Sequence, residues 1–128
     1  MGAWGYKVLQ NDYACDELSS YLTTDPLRMF VQHLIDSGDE HLIMLGVAIV
    51  DASINGVDKD LLGGWGDYST EGKEFFYSLK DTPLTDMVNS TVMNLKRCIR
   101  DNADTWTDDV RENRMELYYT YLDRLTGV

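Results

Sequence analysis

Bases are scarce in this chain. Eleven Lys and Arg stand against 22 Asp and Glu, giving a formal net charge of −11. That deficit sets the molecule against polyanions: DNA, RNA and anionic membranes repel it, and basic partners attract it. The same excess of acid also serves solubility. Histidine is rarer still. His33 and His41 are the only two, and neither has a Cys or His partner at metal-ligand spacing, which argues against a zinc site. The two cysteines, Cys15 and Cys98, lie far apart in sequence; in a cytoplasmic chain both are expected reduced and buried. No apolar run reaches the roughly 20 residues that span a bilayer. There is no signal-peptide pattern. The Met1-Gly2 opening lacks the Ser or Thr that myristoylation takes at position 6, where Tyr6 stands. Cytoplasmic location is the resulting expectation.

Catalytic motifs are missing too. No G-x-S-x-G context is present. Gly63-Gly64-Trp65-Gly66 is not followed by Lys-Ser/Thr and is no phosphate loop. Asp51-Ala-Ser53-Ile-Asn55-Gly56 opens like a calcium loop. Its ninth and twelfth positions are Lys59 and Leu62, however, and the twelfth has to be a bidentate acid. Carboxylate pairs occur throughout, so no single pair singles out acid–base chemistry. The reading is of a non-enzyme with no cofactor and no metal.

What is present is core. At 128 residues the chain makes one domain, and its 44% apolar content is that of a globular protein. The organising stretch is Asp39 to Gly56. Between Leu42 and Ile54 its only polar residues are Asp51 and Ser53. A segment apolar on nearly every side has to be surrounded by protein. Val47, Ile49 and Val50 would suit a buried strand, but the length favours a helix. Asp39 is placed to cap its start and Asn55-Gly56 to end it.

Other helices follow from spacing and caps. Asn11 or Asp12 heads a first helix with Ala14, Leu18 and Leu22 on one face, after an entry segment with Trp4 buried. Asp25-Pro26 starts a second, with Leu27, Phe30, Val31, Leu34 and Ile35 as its apolar stripe and Gly38 as its stop. It should pack antiparallel to the central helix. Residues 55 to 68 read as a glycine-rich loop, with Leu61, Leu62 and Trp65 folding back on the core. Ser69 or Thr70 opens a short helix through Phe75, Phe76 and Leu79. Thr82-Pro83 starts another, with Leu84, Met87, Val88, Thr91, Val92, Leu95, Cys98 and Ile99 inside. Thr105 or Thr107 caps the last helix. Its inner stripe is Val110, Arg114, Leu117, Tyr118, Tyr121, Leu122 and Leu125, with the Arg114 charge reaching out to solvent. The expected fold is all-α: a single compact domain of five or six helices around the buried central helix Leu42–Ile54.

Charge pattern points to candidate contact surfaces. From Arg28 to Lys59 no base intervenes, while Asp36, Asp39, Glu40, Asp51 and Asp58 fall between them. Before the last helix, Asp101, Asp104, Asp108 and Asp109 crowd together, and Glu112 shares a helical face with Asp108. Acids at a helix start also serve as ordinary caps. Asp58, Asp60 and Trp65 on the glycine-rich loop make the second candidate patch.

The opening residues carry a resemblance. Met1, Gly2, Trp4, Gly5, Asn11, Asp12, Ala14 and Asp16 match the MG-x-WG-x-G-x-F-x-N-D-x-A-x-D opening of the small bacterial proteins grouped as domain of unknown function 4259. Lys7 and Leu9 depart from it, standing where the pattern has glycine and phenylalanine. The resemblance implies an α-helical cytoplasmic domain and supplies no catalytic residues. Some members look to lie in toxin–immunity settings. The expected function is that of an acidic immunity protein, which occludes the active site of a basic bacterial toxin domain. The alternatives are a small enzyme or ligand-binding domain with a pocket near Trp65, and a homo-oligomeric structural protein.

Overall fold

The computed structural model describes residues 7–8, 26–63 and 70–127. The expected first helix, Trp4, Cys15 and Trp65 lie outside the described residues. Among the described residues the secondary structure is helical, with no strand.

Helix α2, Glu40–Asn55, is the centre. The Asp39 carboxylate accepts from the backbone N–H groups of His41 and Leu42, at 2.9 and 3.1 Å, and so satisfies two donors that the first turn leaves open. Gly56 ends the helix at φ +90°, where a side chain would be strained. Every residue from Leu42 to Ser53 is buried. The all-round apolar sequence therefore has its cause: α2 has no solvent face over three turns.

Helix α1, Leu27–Ile35, lays Phe30, Val31, Leu34 and Ile35 against α2. Its start differs from expectation. Pro26 is the N-cap residue rather than a first-turn residue, with ψ 146°, and no side chain caps the helix. Its carbonyl takes the first helical bond, from Phe30 N–H at 3.0 Å. The close fit of α1 on α2 depends on Gly46. A Cβ there would lie 2.7 Å from Ile35 Cγ2 and 3.2 Å from Leu34 Cβ.

The expected loop after α2 contains a turn of helix, α3, Lys59–Leu62. Asp58 explains it, since its carboxylate accepts from Asp60 N–H and Leu61 N–H at 3.0 and 3.1 Å. Leu62 is buried and Leu61 is half-buried against the core, as the sequence predicts. Helix α4, Thr70–Ser78, follows and runs into a 3-10 turn, Leu79–Asp81.

Helix α5, Val88–Asn102, does not start at Thr82-Pro83. A 3-10 turn, Thr85–Met87, precedes it, and no side chain caps either element. The determinant is long-range. Ser53 Oγ on α2 donates to Val50 C=O at 2.7 Å and accepts from Leu84 N–H at 3.0 Å, fixing the chain before it turns into α5. A further 3-10 turn, Ala103–Thr105, leads to helix α6, Asp108–Thr126. Thr107 occupies the N-cap position, but its hydroxyl donates to the Asp109 carboxylate instead of accepting from the backbone.

The contacts fix the directions. Ser53 near the end of α2 meets Leu84 just ahead of α5, and Ile43 shares a cleft with Cys98; α2 and α5 are antiparallel. Val88 and Val92 share another with Leu125, so α5 and α6 are antiparallel as well. Arg28 pairs with Asp86 at 3.1 Å, while Ile35 and Asp36 lie by Arg97 and Asp101; α1 therefore runs with α5 and against α2. Helices α2 and α6 are left parallel, and two ion pairs join them.

Candidate functional site

Those ion pairs had no place in the sequence reading beyond the stem of Arg114. Glu40 stands in the first turn of α2. Its Oε2 meets Arg114 Nη1 and the Tyr118 hydroxyl, each at 2.5 Å, and both of its oxygens take the Trp106 indole N–H at 3.1 and 3.2 Å. The Arg114 and Glu40 side chains are only 15% and 12% exposed. Arg114 thus does not send its charge to solvent, as its amphipathic position suggested. The guanidinium turns inward and lies over the Trp106 ring, 5.9 Å from the centroid, with Tyr118 edge-on to the same indole at 5.3 Å. A carboxylate at the positive end of a buried helix, with no base in its own stretch, was the available signal. Burial, and next the Glu40 charge, push the Tyr118 hydroxyl well above its ordinary pKa.

The second pair sits near the other end of α2. Asp51, at 3% side-chain exposure, receives Arg124 Nε at 2.9 and 3.1 Å and Asn55 Nδ2 at 2.9 Å. Arg124 Nη1 also reaches Asp58 at 3.6 Å. The hydrogen bond to Asp51 raises the Arg124 pKa. Asp51 in an otherwise apolar run was the signal here, since a buried acid needs a base. Both carboxylates draw their partners from the fold itself, so the clusters hold the molecule together, although Arg114 Nε is buried with no hydrogen-bond partner among the described residues.

The exposed acids behave differently. Asp101, Asp104, Asp108, Asp109 and Glu112 all reach solvent around the α5–α6 junction. Two of them are engaged. Asp101 accepts from Arg100 at 3.2 Å, and the Thr107 hydroxyl holds the Asp109 carboxyl below the usual range. No described residue forms an ion pair or a side-chain hydrogen bond with Asp104, Asp108 or Glu112.

Of the second candidate patch, Asp58 is committed to its cap and to Arg124, while Asp60 is exposed. Trp65 is outside the described residues. A groove of about 170 Å³ runs between Asp60 and Leu61 on one wall and Asn113, Glu116 and Thr120 of α6 on the other, with Lys7 at its edge. Glu116, which the sequence reading did not single out, links the two patches. Asp108, Glu112 and Glu116 repeat every four residues and are all exposed, so they share one face of α6. The junction and the loop acids become one band, extending about 12 Å along the helix.

Cys98 is buried and free of disulfide, as expected, and burial pushes its thiol up to about 12. His33 is exposed and His41 half-buried. Among the described residues no group of three or more His, Cys, Asp and Glu is placed to hold a metal, and no helix is long and apolar enough to cross a membrane. No family model matches the chain, and no curated protein or solved structure matches it.

Proposed function

We propose that this protein is an acidic binding module that neutralises a basic protein domain. Its specific form would be an immunity protein that covers the active cleft of a bacterial toxin made by competing cells. The carrying observation is the solvent-facing band from the α5–α6 junction along Asp108, Glu112 and Glu116 to Asp60. Like charges one turn apart on a helix repel, at a cost of a few tenths of a kcal/mol per pair. First-turn acids recover some of that through the helix dipole, but Glu112 and Glu116 lie beyond the first turn. A cationic partner would relieve the repulsion, and opposite charge raises encounter rates toward about 10⁸ M⁻¹s⁻¹ at low salt. The resemblance of the opening residues to domain of unknown function 4259, with its toxin–immunity associations, supports the same reading. Membership of that family, cytoplasmic location and a non-enzymatic role belong to the proposal.

The test is association kinetics with a basic bacterial toxin domain, such as a nuclease, at several ionic strengths. Asp104→Lys combined with Glu112→Lys is the diagnostic variant. Both positions are exposed, so folding stability should stay within about 0.5 kcal/mol of wild type. Association should slow, and its rate should depend less on salt. Equal on-rates and salt slopes for the two proteins would sink the proposal.

A further inference from the structure

At the end of the bundle that carries Asp101, the turn between α1 and α2 meets the last turns of α5. A cleft of about 330 Å³ opens there, at the small end of the range for ligand sites and suited to one side chain more than to a large molecule. Ile35, Ile43 and Cys98 contribute buried apolar surface to its wall. Asp36 and Asp101 bring carboxylates. Asp36 accepts one bond, from Gln32 Nε2 at 2.7 Å, and Asp101 accepts one from Arg100. A carboxylate has about four acceptor sites, so both keep capacity. Asn94 and Asn102 also line the cleft, and their amide nitrogens are committed to the carbonyls of Ser90 and Cys98, at 2.9 and 2.8 Å. Their side-chain oxygens remain to accept. The cleft thus offers mostly acceptors over an apolar wall. Arg97 is the exception: an exposed cation at the cleft with no ion pair among the described residues.

We propose that this cleft anchors an arginine side chain of the basic partner. The stem would lie on Ile35, Ile43 and Cys98, and the guanidinium, with five donors and no acceptor, would meet Asp36, Asp101 and the asparagine oxygens. This rests on the binding-module reading and adds a pocket beside the acidic band, continuous with it through Asp101. Buried arginines are frequent energetic anchors of protein interfaces. Arg97 opposes the guest electrostatically, which gives the proposal an unusual sign: removing a surface base should strengthen binding.

The experiment titrates the isotope-labelled full chain with acetyl-Gly-Arg-Gly-amide, followed by nuclear magnetic resonance. Peptides with norleucine or glutamate in place of arginine serve as controls. The expected result is saturable shifts of the Asn94 and Asn102 side-chain amides with the arginine peptide alone. Asp36→Asn should weaken that binding about two- to fivefold, and Arg97→Ala should strengthen it by a similar factor. Both side chains are exposed, so the two variants should fold. Absent shifts, or equal shifts with the norleucine peptide, would overturn the anchor. Shifts confined to Asp104, Asp108 and Glu112 would overturn it while leaving the acidic band as the contact surface. Shifts at the cleft with none at the band would keep the anchor and count against the band.

Discussion

Glu40 gathers an indole N–H, a phenol and a guanidinium on one nearly buried carboxylate. Removing it strands all three. Glu40→Ala is expected to destabilise the protein by about 3 to 5 kcal/mol, the usual cost of leaving a buried charge unpaired. In a double-mutant cycle with Arg114→Ala the two losses should be strongly non-additive, because the second change removes the stranded charge. Denaturant titration of the four proteins measures this, and additive losses would contradict the pairing. Cys98 gives a pH signature. Its thiol titrates near 9.0 when free and near 12 in the fold. Above pH 9 the unfolded chain gives up this proton while the native state keeps it, so the contribution is complete below that pH and is lost as pH rises toward 12. The raised tyrosines Tyr118 and Tyr121 act in the same direction. Stability should fall between pH 9 and 11, and less steeply for Cys98→Ala. An unchanged slope in that variant would remove Cys98 from the account.

Among elements, α2 was legible in the sequence to within two residues at its start and one at its end. Its signals are local: an acid cap, an apolar run, an Asn-Gly close. The stripes of α1, α5 and α6 were legible for the same reason. The start of α5 was not. Thr82-Pro83 has the local form of a helix start, but the tie that governs this segment is Ser53 to Leu84, 31 positions apart, and no local pattern carries such information. The direction of Arg114 was hidden likewise, because its partner is 74 positions away. The candidate site was half-legible: the exposed acids read directly from charge, whereas the link through Glu116 needed α6 and α3 to be brought together. Two substitutions test the element scale. Ile49→Asp places an unpaired charge at a position with 0% exposure and should abolish the helical circular dichroism. Gly46→Ala gains about 1 kcal/mol of helix propensity but drives a methyl into the stiff side chain of Ile35 and into Leu34 Cβ. Overpacking of this kind costs about 1 to 3 kcal/mol, so the net change should be destabilising. A raised melting temperature would show that α1 can shift outward freely.

For the whole molecule, the charge of −11 is the dominant long-range term. Self-repulsion destabilises a compact state, and salt screens it over a Debye length of about 10 Å at 0.1 M. The buried pairs on α2 are screened much less. Melting temperature should therefore rise between 10 and 500 mM sodium chloride; a fall would mean that exposed ion pairs such as Arg28–Asp86 outweigh the repulsion. The two ties between α2 and α6 also govern how this molecule opens. Glu40 and Asp51 are eleven residues apart on one helix, and Arg114 and Arg124 are ten apart on the other. At about 1.5 Å per residue these spans nearly match. A slip of one turn would therefore break both pairs at once, and no intermediate register would be reachable. Helix α6 has no cheap partial detachment, so its amides should exchange with solvent as a block, at the rate of global unfolding. The acids it carries would then be presented to a partner on a surface already fixed, with little ordering left to do on contact.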